Sequence, residues 1–340
     1  MKRKSSSVQK LKNVFLKDKK ILNLYSKLKK VLSKNKKNKS FTVAVSGGPD
    51  SMALAGLSSI LANEKKHRVL FALVDHRIRK NSTKEAYQVK KLLKKNNIKL
   101  EILKNKRKIF KNIQKNARET RYDLLSKFCK RNRAKYLLTA HHQDDQIETF
   151  FIRLSRGSGV EGLSSMSEKT KLRHGIILIR PFLRSNKKEL SYIAKKIFRK
   201  TFKDPANTNK KFLRTNIRNL KKILEEKGLN PERVAHSIRN ISLTKDAINF
   251  YVTKSMKKLV QFKKTETILN LIAFKKEPEE IKFRIINNIV KKRASTYYPP
   301  RSYKVVNLIN RFEDNKLKKC TLGGCLFEKR KNLLHVSREF

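Results

Sequence analysis

One stretch near the start of the chain, Val43-Ala44-Val45-Ser46-Gly47-Gly48-Pro49-Asp50-Ser51-Met52, constrains the fold more than any other. A short apolar run enters a pair of glycines, and a segment rich in Ala, Leu and Met follows. This reads as a buried strand turning through a tight loop into a helix. Gly47 and Gly48 let the backbone adopt positive φ and approach an anion closely. The N–H groups of the loop and of the helix start then face a phosphate, with the Ser46 and Ser51 hydroxyls as further donors. Asp50 is placed to hold a magnesium ion that shields phosphate charge. No Gly-x-x-x-x-Gly-Lys-Ser/Thr loop occurs in the chain.

Strands and helices alternate from there. Strands are expected at 41–45, 69–74, 98–103, 136–139 and 176–179, the last closed by Pro181. Helices are expected at 51–63, from Ser82 or Thr83 as cap to about 96, at 113–131 and at 144–156. Such alternation implies right-handed crossovers and a parallel sheet, with ligands bound beyond the carboxyl ends of the strands. Before it, Ile21, Leu24, Tyr25, Leu28, Val31 and Leu32 recur at helical spacing within a helix covering roughly 14–33. Beyond about 220 the pattern becomes helical at 231–260, 277–292 and 302–313, and ends in a hairpin formed by 320–327 and 333–336. The division expected is a basic N-terminal extension (1–38), an α/β domain (39–220) and a smaller, mostly helical domain (221–340).

A second cluster follows the fourth strand: Thr139-Ala140-His141-His142-Gln143-Asp144-Asp145-Gln146-Ile147-Glu148-Thr149. Asp145 and Glu148 are three apart and share a helix face, while Asp144 lies off it and is expected to cap the helix. Two carboxylates beside a phosphate loop can bind metal, accept a proton or clamp an ammonium group. A zinc site at His141 and His142 lacks a closing Cys or His at suitable spacing.

Charge speaks to partners. The 340 residues include 86 Lys and Arg against 27 Asp and Glu, a formal net charge of +59. A field of that size attracts polyanions, nucleic acid foremost. Hydrophobic residues at 38% suit a globular chain, no apolar run reaches the length of a membrane span, and no secretory leader is visible, so a cytoplasmic setting is expected. Three Cys suit reduced thiols better than a disulfide framework. Oligomeric state is left open, a homodimer included.

The Ser-Gly-Gly-x-Asp-Ser loop resembles that of the PP-loop ATP pyrophosphatases. His141-His142-x-x-Asp145-Gln146-x-Glu148-Thr149, with Arg156-Gly157-Ser158-Gly159 and Gly162-Leu163 after it, resembles the tRNA(Ile)-lysidine synthetases. So do Asp75-His76-x-x-Arg79 with Ser82, the run Asn116-Ala117-Arg118-Glu119-Thr120-Arg121-Tyr122, Arg180-Pro181-Phe182-Leu183, and Asp204-Pro205-x-Asn207 leading to Arg214 and Arg218. Leu322-Gly323-Gly324-Cys325 and Arg338-Glu339 match that family's terminal domain more loosely.

The resemblance implies a Rossmann-like parallel sheet of the adenine nucleotide alpha hydrolase type, followed by a helical tRNA-binding domain. It implies that ATP, with Mg2+, adenylates the wobble cytidine of tRNA(Ile) bearing a CAU anticodon, and that free L-lysine then displaces AMP. Ser46, Gly47, Gly48, Pro49, Asp50 and Ser51 would cradle the pyrophosphate. Asp145 and Glu148 would take the lysine ammonium, Arg121 its carboxylate, and His141 the base or ATP. Arg79, Arg214 and Arg218 would touch tRNA. One departure is Arg214-Thr215-Asn216-Ile217-Arg218, where the family often has Arg-Asn-Arg-Ile-Arg. Two other readings compete. A sulfur-transferring PP-loop enzyme would need reactive cysteines, and Cys129, Cys320 and Cys325 lie away from the ATP loop in sequence. A non-enzymatic RNA binder would explain the charge but neither motif.

Overall fold

The computed structural model describes residues 17–33, 40–65, 67–79, 81–106, 113–202, 213–294, 300–314 and 318–339. Residues 1–16 and the Asp204-Pro205-x-Asn207 motif lie outside them. The chain forms two compact units, 1–239 and 240–340.

The first unit is built on a six-stranded sheet of order β3-β2-β1-β4-β6-β5. Its strands are β1 (Ser40–Val45), β2 (Arg68–Asp75), β3 (Leu100–Lys104), β4 (Tyr136–Leu138), β5 (Lys169–Lys171) and β6 (Ile177–Ile179). All neighbours are parallel except β5, which runs antiparallel to β6. β1 is central, with Val43 opposite Phe71 on one side and Leu138 on the other. The period of two divides each strand between two cores. Phe41, Val43, Val45, Phe71, Leu73 and Leu138 face one cluster. Ala72, Leu137 and Leu178 face the other.

Helices α1 (Lys19–Ser33), α2 (Pro49–Lys65), α3 (Ser82–Lys95) and α7 (Lys187–Phe198) cover the first face, while α4 (Ile113–Arg131) covers the second with Leu125, Phe128 and Cys129. The remaining helices of this unit are α5 (Gln143–Leu154), the single turn α6 (Val160–Leu163) and α8 (Leu213–Glu226), and a 3-10 turn spans Arg173–Gly175.

Helix α1 belongs to this core. Its Ile21, Leu24, Tyr25, Leu28 and Leu32 are buried, each stabilising the fold by roughly 1.5–3 kcal/mol. Asp18 caps the helix by accepting the Lys20 N–H at 3.0 Å, and its other oxygen accepts the Tyr192 hydroxyl of α7 at 2.6 Å. The Tyr192 bond holds the Asp18 carboxyl below its ordinary value against the opposing effect of burial.

Strand β5 carried no sequence signal. Its Lys-Thr-Lys has no apolar alternation and owes its conformation to pairing with β6 at the sheet edge, where lysines discourage further pairing.

The second unit is described by itself. Helix α9 (Pro231–Leu259) leads into it, followed by β7 (Val260–Phe262), β8 (Glu266–Asn270), α10 (Leu271–Lys275), α11 (Glu279–Arg293), α12 (Ser302–Glu313), β9 (Lys319–Leu322), β10 (Cys325–Arg330) and β11 (Leu333–Arg338). The expected helices are there, and the terminal hairpin is the middle of an antiparallel sheet of order β7-β8-β11-β10-β9. The stretch 320–327, read as one strand, is two. Gly323 and Gly324 both take positive φ (61° and 77°), as a two-residue turn of a tight hairpin requires. Leu269, Phe327, Leu334 and Val336 pack against Ile285, Ile286, Ile289, Val305 and Phe312.

Candidate active site

The phosphate loop follows β1. Val45 is buried, Gly47 turns the chain with φ 85°, and α2 begins at Pro49, where the missing N–H costs nothing. A Cβ at Gly47 would stand 2.7 Å from Cγ2 of Val89 in α3, so both space and φ require glycine there. Gly48 is different: a Cβ there would meet only the Ser46 Oγ, at 3.7 Å. The two serines brace the loop. Ser51 Oγ donates to the Gly48 carbonyl at 3.0 Å and accepts from the Ser46 N–H at 3.0 Å and the Ser46 hydroxyl at 3.1 Å. The Gly47 carbonyl accepts the Phe202 N–H at 3.1 Å. The Asp50 side chain is partly buried in the first turn of α2, and its Oδ1 is buried without a hydrogen-bond partner.

β4, next to β1, delivers the second cluster. His142 is the extended residue before α5, and its N–H donates to Asp145 Oδ2 at 3.1 Å. Asp145 therefore caps the helix, and the expectation that Asp144 does so is corrected. Three residues into the helix a carboxylate reaches back to the cap amide, whereas Asp144 points across to Lys221 at 2.8 Å.

The two histidines are pulled in opposite directions. Burial, helped by the charges of Arg180, Arg118 and Arg214 and only partly countered by Asp145, pushes His141 down to about 3, so it is neutral near pH 7. Its Nδ1 lies 2.9 Å from Thr139 Oγ1. Burial opposes the charged form of His142 as well, but a hydrogen bond to Asp50 and the charges of Asp145, Asp50 and Asp144 raise it.

Glu148 is almost fully buried, its side chain 4% exposed. It and Asp145 meet α8, which carries a basic stripe at Arg214, Arg218 and Lys221. Arg214 donates from Nε to Glu148 at 2.6 Å and from Nη2 to Asp145 Oδ1 at 2.8 Å. Arg218 donates from Nε to the other Glu148 oxygen at 2.5 Å. Lys221 bridges Asp144 and Glu225. Burial works against the Arg214 charge, but Asp145 and Glu148 hold its pKa above the ordinary value. Burial likewise opposes ionisation of Asp145, but His142 and Arg214 hold its carboxyl below the usual range.

The remaining sequence-selected arginines lie elsewhere. Arg121 of α4 is exposed, and its charge reaches His76, which burial first and Arg121 second push down to about 4. Arg118, one turn earlier, is the α4 arginine whose charge reaches His141, and it lies over the Tyr122 ring at 5.1 Å. Arg79 is exposed and paired with Glu85 at 3.0 Å. Ser82 and Thr83 do not cap α3. Their hydroxyls donate to the Asp75 carboxylate at 3.0 and 2.6 Å, which also accepts the Arg77 N–H, because this acid at the end of β2 competes for them. Sequence reasoning named His142 and Arg118 within motifs without giving either a role, and did not single out Lys221. The signals available were the adjacency of His142 to the acids and the i, i+4, i+7 spacing of the α8 cations.

A parallel sheet with a glycine loop after its central strand and acids after the neighbouring strand defines a PP-loop nucleotide-binding protein. A family model described as a PP-loop domain matches residues 20–226. Among solved structures, a U34-tRNA thiolase, NcsA, from Methanococcus maripaludis superposes with a TM-score of 0.55 over 65% of this chain and 78% of that one. At 17% identity this likeness concerns the fold alone. Sequence is more specific. The tRNA(Ile)-lysidine synthase of Wolbachia pipientis wMel is 37% identical over 308 residues, 89% of this chain and 71% of the relative. That of Rickettsia typhi is 33% identical over 88% of this chain and 69% of the relative. The chain belongs to the tRNA(Ile)-lysidine synthase family.

Proposed function

We propose that this chain uses ATP to join L-lysine to C2 of the wobble cytidine in tRNA(Ile) with a CAU anticodon, releasing AMP and pyrophosphate. The product, lysidine, pairs with A, so the tRNA reads AUA in place of AUG. The observation that carries the reading is the pair of acids, Asp145 partly buried and Glu148 buried, already holding cationic groups, with Asp145 one histidine ring away from the phosphate-loop acid Asp50.

In the first step the cytidine O2 attacks the α-phosphate of ATP and pyrophosphate leaves. The loop around Gly47 and the first turn of α2 offer amides to that leaving group. Asp50 would hold a magnesium ion that neutralises phosphate charge, and its unpartnered Oδ1 fits that task. Among the described residues no set of three His, Cys, Asp or Glu forms a metal cage, so phosphate oxygens and water would complete the shell. In the second step the lysine ε-amine attacks C2 and AMP leaves with the former O2. An amine of pKa about 10.4 must lose a proton first, and a carboxylate partner both orients it and receives charge. Asp145 and Glu148 are occupied by Arg214 and Arg218 here. A lysine ammonium and the guanidinium of Arg214 therefore compete for one pair of acids, and tRNA phosphates offer the arginines another partner. Arg121 and His141 keep their assignments to the lysine carboxylate and to the base or ATP.

Sulfur transfer is disfavoured by the thiols. Burial pushes Cys129 up to about 11 and raises Cys320 and Cys325, so none is a ready thiolate. Among the described residues no helix is long and apolar enough to cross a membrane. A cytoplasmic setting, where tRNA is found, fits the reading. The test is incubation with ATP, labelled lysine and the CAU-anticodon tRNA(Ile), omitting each in turn. Label should enter tRNA only in the complete mixture. Tight RNA binding without cleavage of ATP to AMP would sink the proposal.

A further inference from the structure

His142 lies between the two halves of the reaction just described. It is 4% exposed, and its Nε2 is 3.5 Å from Asp50 Oδ2 and 3.5 Å from Asp145 Oδ2. Asp50 comes from the helix after β1 and Asp145 from the helix after β4, two strands paired in register. Carboxylates brought together by neighbouring strands repel one another unless something positive or donating stands between them. The His142 ring stands there. The same residue also gives its backbone N–H to Asp145 Oδ2 at 3.1 Å.

The inner oxygen of each acid is thus engaged by one residue, and the outer oxygens are left for other work. Asp145 Oδ1 holds Arg214 at 2.8 Å, and Asp50 Oδ1 is buried without a partner. We infer that His142 is a positioning residue that bridges the phosphate-loop acid to the amine-binding acid, fixing Asp50 Oδ1 for the cation bound with ATP and Asp145 Oδ1 for the lysine amine. The inference rests on the proposed function and adds a role to a residue that it leaves idle. The bridge makes the two half-reactions share one mechanical element, so its removal should weaken both together.

The test compares His142→Phe, His142→Gln and His142→Asn in the full chain. The Gln amide reaches about as far as Nε2, the Asn amide only as far as Nδ1, and Phe donates nothing. Two dependences are read: Mg2+ in pyrophosphate release without lysine, and lysine in AMP release. Loss of an orienting partner of this kind costs about 10–100-fold in the group it holds. His142→Phe should therefore raise both half-saturation values by about tenfold or more, with tRNA affinity unchanged. His142→Gln should recover most of both, and His142→Asn should behave as Phe. A change in only one dependence, or equal behaviour of Gln and Asn, overturns the bridge. The Gln–Asn comparison also decides the matter should the Phe variant fold poorly. A wild-type chain that releases pyrophosphate but never transfers lysine removes the underlying reading instead, and a competent wild type with an indistinguishable Phe variant removes the bridge alone.

Discussion

Glu148→Gln separates the two roles open to the buried acid. The substitution keeps the shape of the side chain, leaves one oxygen as acceptor and turns the other into a donor facing a guanidinium. Glu148 accepts short bonds from Arg214 Nε (2.6 Å) and Arg218 Nε (2.5 Å) and a longer one from Arg218 Nη2 (3.3 Å). Replacing a charge-assisted bond by a neutral one costs about 1–2 kcal/mol, so two short bonds put an upper figure near 4 kcal/mol. The arginine side chains are 35% and 28% exposed, and water rescreens part of their charge, which brings the expected loss to about 2 kcal/mol. For a unit of this size that lowers the melting temperature by about 4–8 °C.

If Glu148 also receives the lysine ammonium, KM for lysine rises by about 10–100-fold, while pyrophosphate release from ATP and tRNA is spared. The assays are thermal melts and lysine-dependent AMP release from tRNA adenylated beforehand. A fall in stability with an unchanged lysine KM would refute the binding role and leave Glu148 as an anchor for α8. No change in either would refute the pairing itself.

Asp50→Ala should abolish pyrophosphate release while tRNA affinity, measured by filter binding, stays within about twofold, because Asp50 is one acid in a strongly basic chain. Gly47→Ala forces a side chain into φ 85° and against Val89 Cγ2, so it should cost about 1–3 kcal/mol and raise KM for ATP; Val89→Ala in the same chain should restore the steric share, as read by melts and ATP titration. Stability should fall as pH drops below 6.5. His76 and His141, with native values of about 4 and about 3, stay neutral while the unfolded chain takes up protons, each adding a slope of up to about 1.4 kcal/mol per pH unit. His142 has the opposite sign: its raised value gives stability that is fully present below pH 6.5 and lost as pH rises through the native value. Urea midpoints from pH 4 to 8 should show a shallower acid limb in His76→Gln, and an unchanged limb would refute the assignment.

Local pattern carried far in this chain. Short continuous apolar runs placed β1, β2 and β4, because a strand covered on both faces has no polar side to show, and apolar residues at helical spacing placed α1. Elements without that pattern were invisible. β5 is Lys-Thr-Lys and exists through its partner. The strands β7 and β8 are short, and the turn at Gly323-Gly324 was a readable hairpin signal that the apolar run around it obscured.

The same limit applies to the site. That a glycine loop and a histidine–carboxylate cluster follow neighbouring strands was legible, since each is contiguous in sequence and its chemistry is a property of residue type. What those side chains touch was not. Nothing in the spacing of Arg214 and Arg218 announced that they meet Asp145 and Glu148 across some seventy positions of chain. Nor did the sequence show that the Ser46 and Ser51 hydroxyls bond to each other. Two adjacent histidines of identical chemistry are pulled apart: burial, helped by neighbouring arginines, lowers His141, while Asp50 and Asp145 raise His142 against burial. Residue type and spacing determined which groups this protein has to work with. Packing of the sheet and its covering helices decided which of them meet, because ion pairing and burial depend on distances that close only when the chain has folded.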